Sequence, residues 1–219
     1  MKKKSRPRKY IAVAGNMGTG KSSLVKFLCN YYELEPFYEP NEENPFLKDF
    51  YGDMRRWAFH SQIYFLALKF RIHQELEQAR SRVAVVQDRT IYEDAEIFAY
   101  NLYRSRRMSR RDYATYQSLY TTILRSLRPP DVMIYLRAPL RTVRKRIRLR
   151  GRPEEQDVPV SYLRRLNQLY EAWFERYDLS PKIRVDTEET PLDVPANVPV
   201  IVERVRGVLK EGRYGAQIR

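Results

Sequence analysis

The residues from Gly15 to Ser22 read Gly-Asn-Met-Gly-Thr-Gly-Lys-Ser, which is the spacing of a phosphate-binding loop. Glycine lets the backbone turn sharply and direct several N–H groups toward one anion. The apolar run Tyr10–Ala14 precedes the motif and an apolar helical pattern follows it, so a helix N-terminus would add its dipole. The motif predicts a nucleoside triphosphate site formed by Gly15, Asn16, Met17, Gly18, Thr19, Gly20, Lys21, Ser22 and Ser23. Lys21 would reach the β- and γ-phosphates, and the Ser22 hydroxyl would bind Mg²⁺.

Two carboxylates stand where predicted strands end. Glu39 ends the run Pro36–Glu39, and Asp88 follows the run Val83–Gln87 with Arg89 next to it. Phosphoryl transfer needs positioning, neutralisation of charge and a base for the acceptor hydroxyl. We therefore interpret Glu39 as the base, Asp88 as a Mg²⁺ ligand and Arg89 as a bridge to the transferring group. An exposed strand-end acid and a surface Asp–Arg pair are the competing interpretations.

Arginines and one glutamine complete the candidate chemistry. Arg146 and Arg150 lie four residues apart and share a helix face, and Arg152 follows them. This spacing favours a lid that closes over a triphosphate, with a solvated cationic face or an RNA contact as alternatives. Gln62 lies on an aromatic helical stretch, where its amide needs partners and suits a nucleobase edge.

Strands that alternate with helical stretches position these residues. Apolar runs recur at 10–14, 36–39, 83–87, 132–136 and 183–185. The pattern predicts an α/β fold with a five-stranded parallel sheet flanked by helices, whose ligands bind beyond the carboxyl ends of the strands. We expect one domain over residues 10–210, an arginine-rich lid at about 141–157, a basic disordered tail at 1–9 and a second tail at 211–219.

The net charge of +14 comes from three clusters of basic residues rather than from an even excess along the chain. Residues 1–10, 104–111 and 141–152 hold 18 of the 41 basic residues, and the remaining sequence has 23 basic and 27 acidic residues. Nucleic acid is therefore not the expected main partner, although a contact through the basic tail stays open.

The sequence has no long apolar segment and no signal peptide, and its single cysteine, Cys29, is typical of a core position. We expect a cytoplasmic protein without a membrane partner.

Taken together, the motifs resemble those of the deoxynucleoside kinase family. The resemblance covers residues 9 to 186 and rests on Glu39-Pro40, Tyr51 to Gln62, Asp88-Arg89-Thr90 and the arginines at 146–152 with Glu155. It implies that Glu39 activates the 5′-hydroxyl of a deoxynucleoside, that Tyr51 and Glu155 bind the 3′-hydroxyl and that Gln62 reads the base. It also implies that the loop for the ATP adenine begins at Asp186 and Thr187. Thr90 stands where the family usually has serine, and the hydroxyl is retained.

The phrases Glu43-Asn44-Pro45-Phe46-Leu47 and Gln87-Asp88-Arg89 are similar to those of the bacterial deoxyadenosine kinases within the family. Family members differ at the base-reading positions. These positions are Phe65, Lys69 and Asp94 here, and an acid at Asp94 can accept a hydrogen bond from the amino group of adenine, cytosine or guanine. The resemblance implies ATP as phosphoryl donor, Mg²⁺ as cofactor, a homodimer and feedback inhibition by a deoxynucleoside triphosphate. Two other functions stay open at this point: a nucleoside monophosphate kinase of the thymidylate kinase type, and a P-loop NTPase that binds nucleic acid.

Overall fold

The sheet has five parallel strands in the order β2-β3-β1-β4-β5. We describe a computed structural model that covers residues 8–40, 43–156, 158–192 and 197–211. The strands are β1 (Tyr10–Ala14), β2 (Leu34–Phe37), β3 (Ala84–Asp88), β4 (Val132–Arg137) and β5 (Lys182–Asp186). The structure confirms the predicted α/β class and parallel sheet.

Helices cover both faces of this sheet. Their bounds are α1 (Lys21–Tyr31), α2 (Leu47–Gly52), α3 (Met54–Ala79), α4 (Ile91–Glu93), a π-helical segment (Asp94–Ala99), α5 (Tyr100–Arg104), α6 (Arg110–Leu124), α7 (Leu140–Arg150), α8 (Pro153–Gln156), α9 (Val160–Arg176) and α10 (Asn197–Glu211). The central strand β1 is buried along its whole length, as a strand with helices on both sides requires. One apolar cluster joins β1 to α3 and α9, and the other joins it to α1 and α10.

The second strand differs from its predicted bounds. It runs from Leu34 to Phe37 and pairs with β3 in the register Leu34↔Ala84 to Phe37↔Gln87. Glu39 therefore lies two residues beyond the strand rather than at its end. The strand tolerates Pro36 because it forms an edge of the sheet, where a missing N–H costs no ladder bond.

The ends of the chain are described only in part. Residues 1–7 of the predicted basic tail, residues 212–219 of the second tail and residue 157 of the predicted lid lie outside the described residues. Arg8 donates its backbone N–H to the carbonyl of Arg80, so the chain already contacts the domain at that residue. No helix in the described part of the chain is both long enough and apolar enough to span a bilayer.

Candidate active site

The phosphate loop connects β1 to α1 in a backbone path that needs glycine. Gly15 has φ +149°, and a Cβ there would lie 2.7 Å from the Leu136 carbonyl oxygen. Gly18 has φ +71°, and its Cβ would lie 2.9 Å from the Val143 carbonyl oxygen in α7. L side chains rarely adopt such dihedrals, so two separate constraints select glycine at both positions.

Lys21 opens the helix that follows the loop. It is 8% exposed, and its ammonium donates to the Asn16 carbonyl at 3.1 Å. Burial, reinforced by the nearby Arg89 cation, lowers the pKa of Lys21 to about 8. A phosphate anion would relieve this desolvation, which is the arrangement expected of a phosphate-binding lysine.

A buried cluster of charges lies beside the loop. Arg89 Nη1 donates to Glu39 Oε2 at 2.9 Å, and Lys69 Nζ lies 3.2 Å from Glu39 Oε1. The side chain of Arg89 is 8% exposed, that of Glu39 is 7% exposed and that of Lys69 is 0% exposed. Burial opposes ionisation of Glu39, but Arg89, Lys69 and Lys21 outweigh it and lower the pKa of Glu39 to about 2. The neighbouring cations therefore favour the ionised carboxylate of Glu39.

The backbone at Arg89 is strained. Its φ of +60° is in the left-handed region, which costs a non-glycine residue about 1–3 kcal/mol. Two contacts hold it there: its N–H donates to the Val13 carbonyl at 3.0 Å, and its carbonyl accepts from Lys69 at 2.9 Å. Such strain persists where the surroundings over-determine a conformation, and it is frequent at functional sites.

Glu93 is a central residue that our sequence interpretation missed as a site residue. Its carboxylate is 0% exposed and accepts from the backbone N–H groups of Gly15 and Thr90 and from the Tyr170 hydroxyl. Burial raises its pKa, although the nearby Arg89 cation opposes this. The pattern Thr90-x-x-Glu93 is that of a capping box, which the structure contains, and it could have pointed to this residue.

A cavity of about 260 Å³ opens beside these charges, beyond the carboxyl ends of β1 and β3. Predicted site residues that line it are Met17, Lys21, Ser22, Glu39, Tyr51, Gln62, Phe65, Asp88, Arg89, Asp94, Arg150, Arg152 and Glu155. Tyr38, Leu47, Phe50, Phe98 and Tyr162 also line it, and the sequence interpretation did not single them out. The folded chain thus brings most of the predicted side chains to one concave site.

Part of the cavity wall carries polar atoms with unused hydrogen-bonding capacity. Gln62 Oε1 and Asp94 Oδ2 are buried and have no partner among the described residues. Asp94 begins the π-helical segment, a geometry that is frequent at functional sites. Burial raises the pKa of Asp94 to about 7 despite the opposing cation Lys69. Buried polar groups normally find partners, so these two atoms are candidates for contacts with a ligand.

The predicted Mg²⁺ ligands lie together at the phosphate loop. Ser22 donates its hydroxyl to Asp88 Oδ2 at 2.5 Å, and Asp88 Oδ1 is buried with no partner among the described residues. The described residues contain no cluster of three or more His, Cys, Asp or Glu side chains that could hold a metal alone. This donor set fits Mg²⁺, a hard cation that is held by one or two protein oxygens together with phosphates and water.

Comparison with known proteins agrees with this geometry. A family model described as "Deoxynucleoside kinase" matches residues 11–210. The chain belongs to the deoxynucleoside kinase family. The predicted family and enzyme class are therefore confirmed.

Individual relatives of this deoxynucleoside kinase cover nearly its whole length. A deoxyadenosine/deoxycytidine kinase from Bacillus subtilis (strain 168) is 36% identical over 93% of this chain and 94% of the relative. A deoxyadenosine kinase from Dictyostelium discoideum is 37% identical over 86% of this chain and 76% of the relative. Among solved structures, deoxyadenosine kinase from M. mycoides with bound dCTP superposes with a TM-score of 0.79 at 32% identity, covering 91% of this chain and 100% of the other.

Some predicted site residues of this deoxynucleoside kinase do not line the cavity. Lys69 is absent from the residues that line the cavity, and its ammonium contacts Glu39 and the Arg89 carbonyl. Arg146 donates to the Thr187 hydroxyl at 2.8 Å and to the Thr187 carbonyl at 3.0 Å. Asp186 pairs with Arg137 at 2.7 Å, and Ser23 is exposed on α1. Arg146 thus connects α7, the helix of the predicted lid, to the segment after β5.

The lid arginines at the cavity contact a predicted acceptor residue. Arg150 donates to Glu155, and Arg152 Nη1 lies 3.6 Å from the other oxygen of the same carboxylate. Glu155 is 9% exposed. The predicted lid therefore has positive charge at the cavity, from Arg150 and Arg152, and negative charge from Glu155.

Proposed function

We propose that this kinase transfers the γ-phosphoryl group of ATP to the 5′-hydroxyl of a deoxynucleoside whose base carries an amino group, with deoxyadenosine preferred. The observation that carries the proposal is the pairing, in one cavity, of an ionised Glu39 beside Lys21 with acceptors on Gln62 and Asp94 that have no partner among the described residues. An ionised Asp94 accepts from an exocyclic amino group, whereas the corresponding edge of thymine offers an oxygen. The deoxyadenosine kinases among the relatives support the same preference.

The residues act at the two ends of the reaction. The loop amides and Lys21 bind the donor phosphates, while Tyr51 and Glu155 bind the 3′-hydroxyl. The 5′-oxygen attacks the γ-phosphorus, the bond to the β–γ bridging oxygen breaks, and the hydroxyl proton passes to Glu39. Arg89, Arg150 and Arg152 stabilise the charge on the transferring group, and closure of the lid would add Arg146.

Ser22 and Asp88 would hold Mg²⁺ at the donor phosphates. When bound, Mg²⁺ neutralises charge that develops on the phosphate oxygens. The Ser22–Asp88 contact supports this assignment, as does the second Asp88 oxygen, which has no partner in the part of the chain that the structure describes. Asp186 and Thr187 begin the adenine-binding segment of the donor site, and the contacts of Arg146 with Thr187 support that position.

A panel of the four deoxynucleosides with ATP and Mg²⁺ tests the substrate class. We expect the deoxynucleoside monophosphate as product, with kcat/KM highest for deoxyadenosine and lowest for thymidine. A preference for thymidine would contradict the role of Asp94. Deoxyadenosine monophosphate serves as a control acceptor: its phosphorylation at a higher kcat/KM would contradict a nucleoside acceptor.

Assembly and regulation follow from the same assignment. We propose a cytoplasmic homodimer whose activity is inhibited by a deoxynucleoside triphosphate that occupies the donor and acceptor sites together. The M. mycoides structures with bound dCTP and with bound dATP support the inhibitor class. Inhibition by dATP that is competitive with both ATP and deoxyadenosine would be the expected kinetic pattern.

A further inference from the structure

Glu93 is a fully buried carboxylate on which four hydrogen-bond donors converge. Its Oε1 accepts from the Gly15 N–H at 3.1 Å and from the Tyr170 hydroxyl at 2.9 Å. Its Oε2 accepts from the Thr90 N–H at 2.8 Å and from the Thr90 hydroxyl at 3.3 Å. Glu93 does not line the cavity, so these contacts have no direct relation to a substrate.

The same carboxylate lies next to Arg89. Arg89 Nε is 3.9 Å from Glu93 Oε1, and this nitrogen has no hydrogen-bond partner among the described residues. Arg89 Nη2 in turn donates to the Gly15 carbonyl at 3.3 Å. Gly15 is therefore held at its N–H by Glu93 and at its carbonyl by Arg89. These contacts join the first residue of the phosphate loop, the arginine and the carboxylate in one closed set.

The chemistry of the site calls for a carboxylate. An ionised carboxylate only accepts hydrogen bonds, whereas a glutamine in its place would point an N–H group at one pair of donors. A buried charge also costs desolvation that an apolar side chain of similar volume would avoid. The Glu93 carboxylate is present despite this cost and lies between the phosphate loop and Arg89. This location fits a role in positioning these two groups better than a role in stability alone.

We propose that Glu93 is a positioning residue for phosphoryl transfer, which holds Gly15 of the phosphate loop and Arg89 in one fixed arrangement. The proposal rests on the proposed function of Arg89 at the transferring group. The phosphate loop sets where the donor phosphates lie, and Arg89 must meet the γ-phosphoryl between donor and acceptor. Misplacement by about 1 Å through a residue remote from the chemistry can cost about 100-fold in rate.

The first experiment compares Glu93→Gln with Glu96→Gln. Glu96 lies one turn further along the same helical stretch and accepts from the Tyr120 hydroxyl at 2.8 Å, away from the cavity. We expect Glu93→Gln to lower kcat by about 10- to 100-fold with KM for deoxyadenosine within about twofold of the parent. We expect Glu96→Gln to leave both constants unchanged. Equal kcat for Glu93→Gln and the parent would overturn the proposal.

A double-mutant cycle separates positioning from stability. In an Arg89→Gln background, Glu93→Gln should lower kcat by less than about twofold, because the geometry that it protects is already lost. The same fold-loss in both backgrounds would contradict the proposal. The proposed function fails instead if the parent does not phosphorylate deoxynucleosides or if Arg89→Gln keeps full kcat. Both outcomes can be distinguished from a failure of the Glu93 proposal, in which the parent is active and Arg89→Gln is impaired.

A second variant and a second readout cover the case in which Glu93→Gln does not fold. Tyr170→Phe keeps the carboxylate and removes one donor, so we expect a smaller loss of kcat with retained folding. Amide hydrogen exchange at Gly15, followed by NMR in the nucleotide-free protein, should be faster in Tyr170→Phe than in the parent or in Glu96→Gln. Unchanged exchange together with unchanged kcat in Tyr170→Phe would overturn the proposal.

Discussion

Arg89 and Glu39 form a buried ion pair, in which Nη1 donates to Oε2 across 2.9 Å. The pair joins the residue after β3 to the residue that follows β2 by two positions, and these strands are neighbours in the sheet. Because Lys69 contacts the second oxygen of the same carboxylate, two cations hold Glu39 ionised at the edge of the cavity. The charge and the position of the Glu39 carboxylate are thus set before any substrate binds.

Glu39→Gln should remove the proton acceptor while the shape of the side chain is kept. We expect kcat with deoxyadenosine to fall by about 100- to 10,000-fold, with the Kd of ATP within a few-fold of the parent. Glu43→Gln is the matched control, because Glu43 is exposed and pairs with Arg71 at the surface. Steady-state kinetics with equilibrium nucleotide binding checks both; a kcat of Glu39→Gln close to that of the parent would show that another group takes the proton.

The pH dependence should report Asp94. Its pKa of about 7 reflects burial, and the ionised form is the stronger acceptor for the amino group of adenine. At saturating ATP, we expect kcat/KM for deoxyadenosine to rise as the pH increases through about 7. The rise should be absent with the deoxyriboside of unsubstituted purine, which lacks the amino group, and absent in Asp94→Asn. A rise of equal size with both substrates would assign the titration to another residue.

Substitution by alanine should be harmful at Gly15, where it removes ATP binding, and stabilising at Gly207. Gly15→Ala places a Cβ 2.7 Å from a backbone oxygen at φ +149°, so we expect loss of ATP binding as measured by calorimetry. Gly207 lies within α10, and a Cβ there meets no atom of the described residues within 4 Å. Gly207→Ala should therefore raise the free energy of unfolding by about 0.5–1 kcal/mol and leave ATP binding unchanged. Normal ATP affinity in Gly15→Ala would show that the loop can relax.

Lys69 and Arg71 lie two residues apart on α3, and each pairs with a glutamate. Replacing each cation by methionine therefore compares the loss of a buried ion pair with the loss of an exposed one. Lys69 is 0% exposed beside Glu39, whereas Arg71 is 60% exposed beside Glu43. Lys69→Met leaves a buried carboxylate without one of its cations, and removing one partner of a buried pair costs about 3–5 kcal/mol. We expect Arg71→Met to change the free energy of unfolding by about 1 kcal/mol or less. Denaturant unfolding measures both, and equal effects would mean that burial does not set the strength of the Lys69 pair.

The sequence was sufficient for the features that depend on neighbouring residues. The phosphate loop requires glycines at fixed offsets, and the buried strands require short apolar runs, so both could be predicted from local pattern. The family followed because Glu39-Pro40, Asp88-Arg89 and the lid arginines occur in one order. The start of β2 was misplaced because its register depends on pairing with β3, which local sequence does not encode.

Only the tertiary structure decided which polar groups meet. Glu93 contacts Gly15 across 78 positions of sequence, and Lys69 contacts Glu39 across 30. The sequence pattern places Lys69 among the positions that differ with the base, and the fold shows in addition that its ammonium contacts the Glu39 carboxylate. In the same way, nothing in the pattern separates Tyr162 at the cavity from the tyrosines of the core. Sequence spacing sets which face of an element a side chain occupies, whereas packing between distant elements sets what that side chain touches.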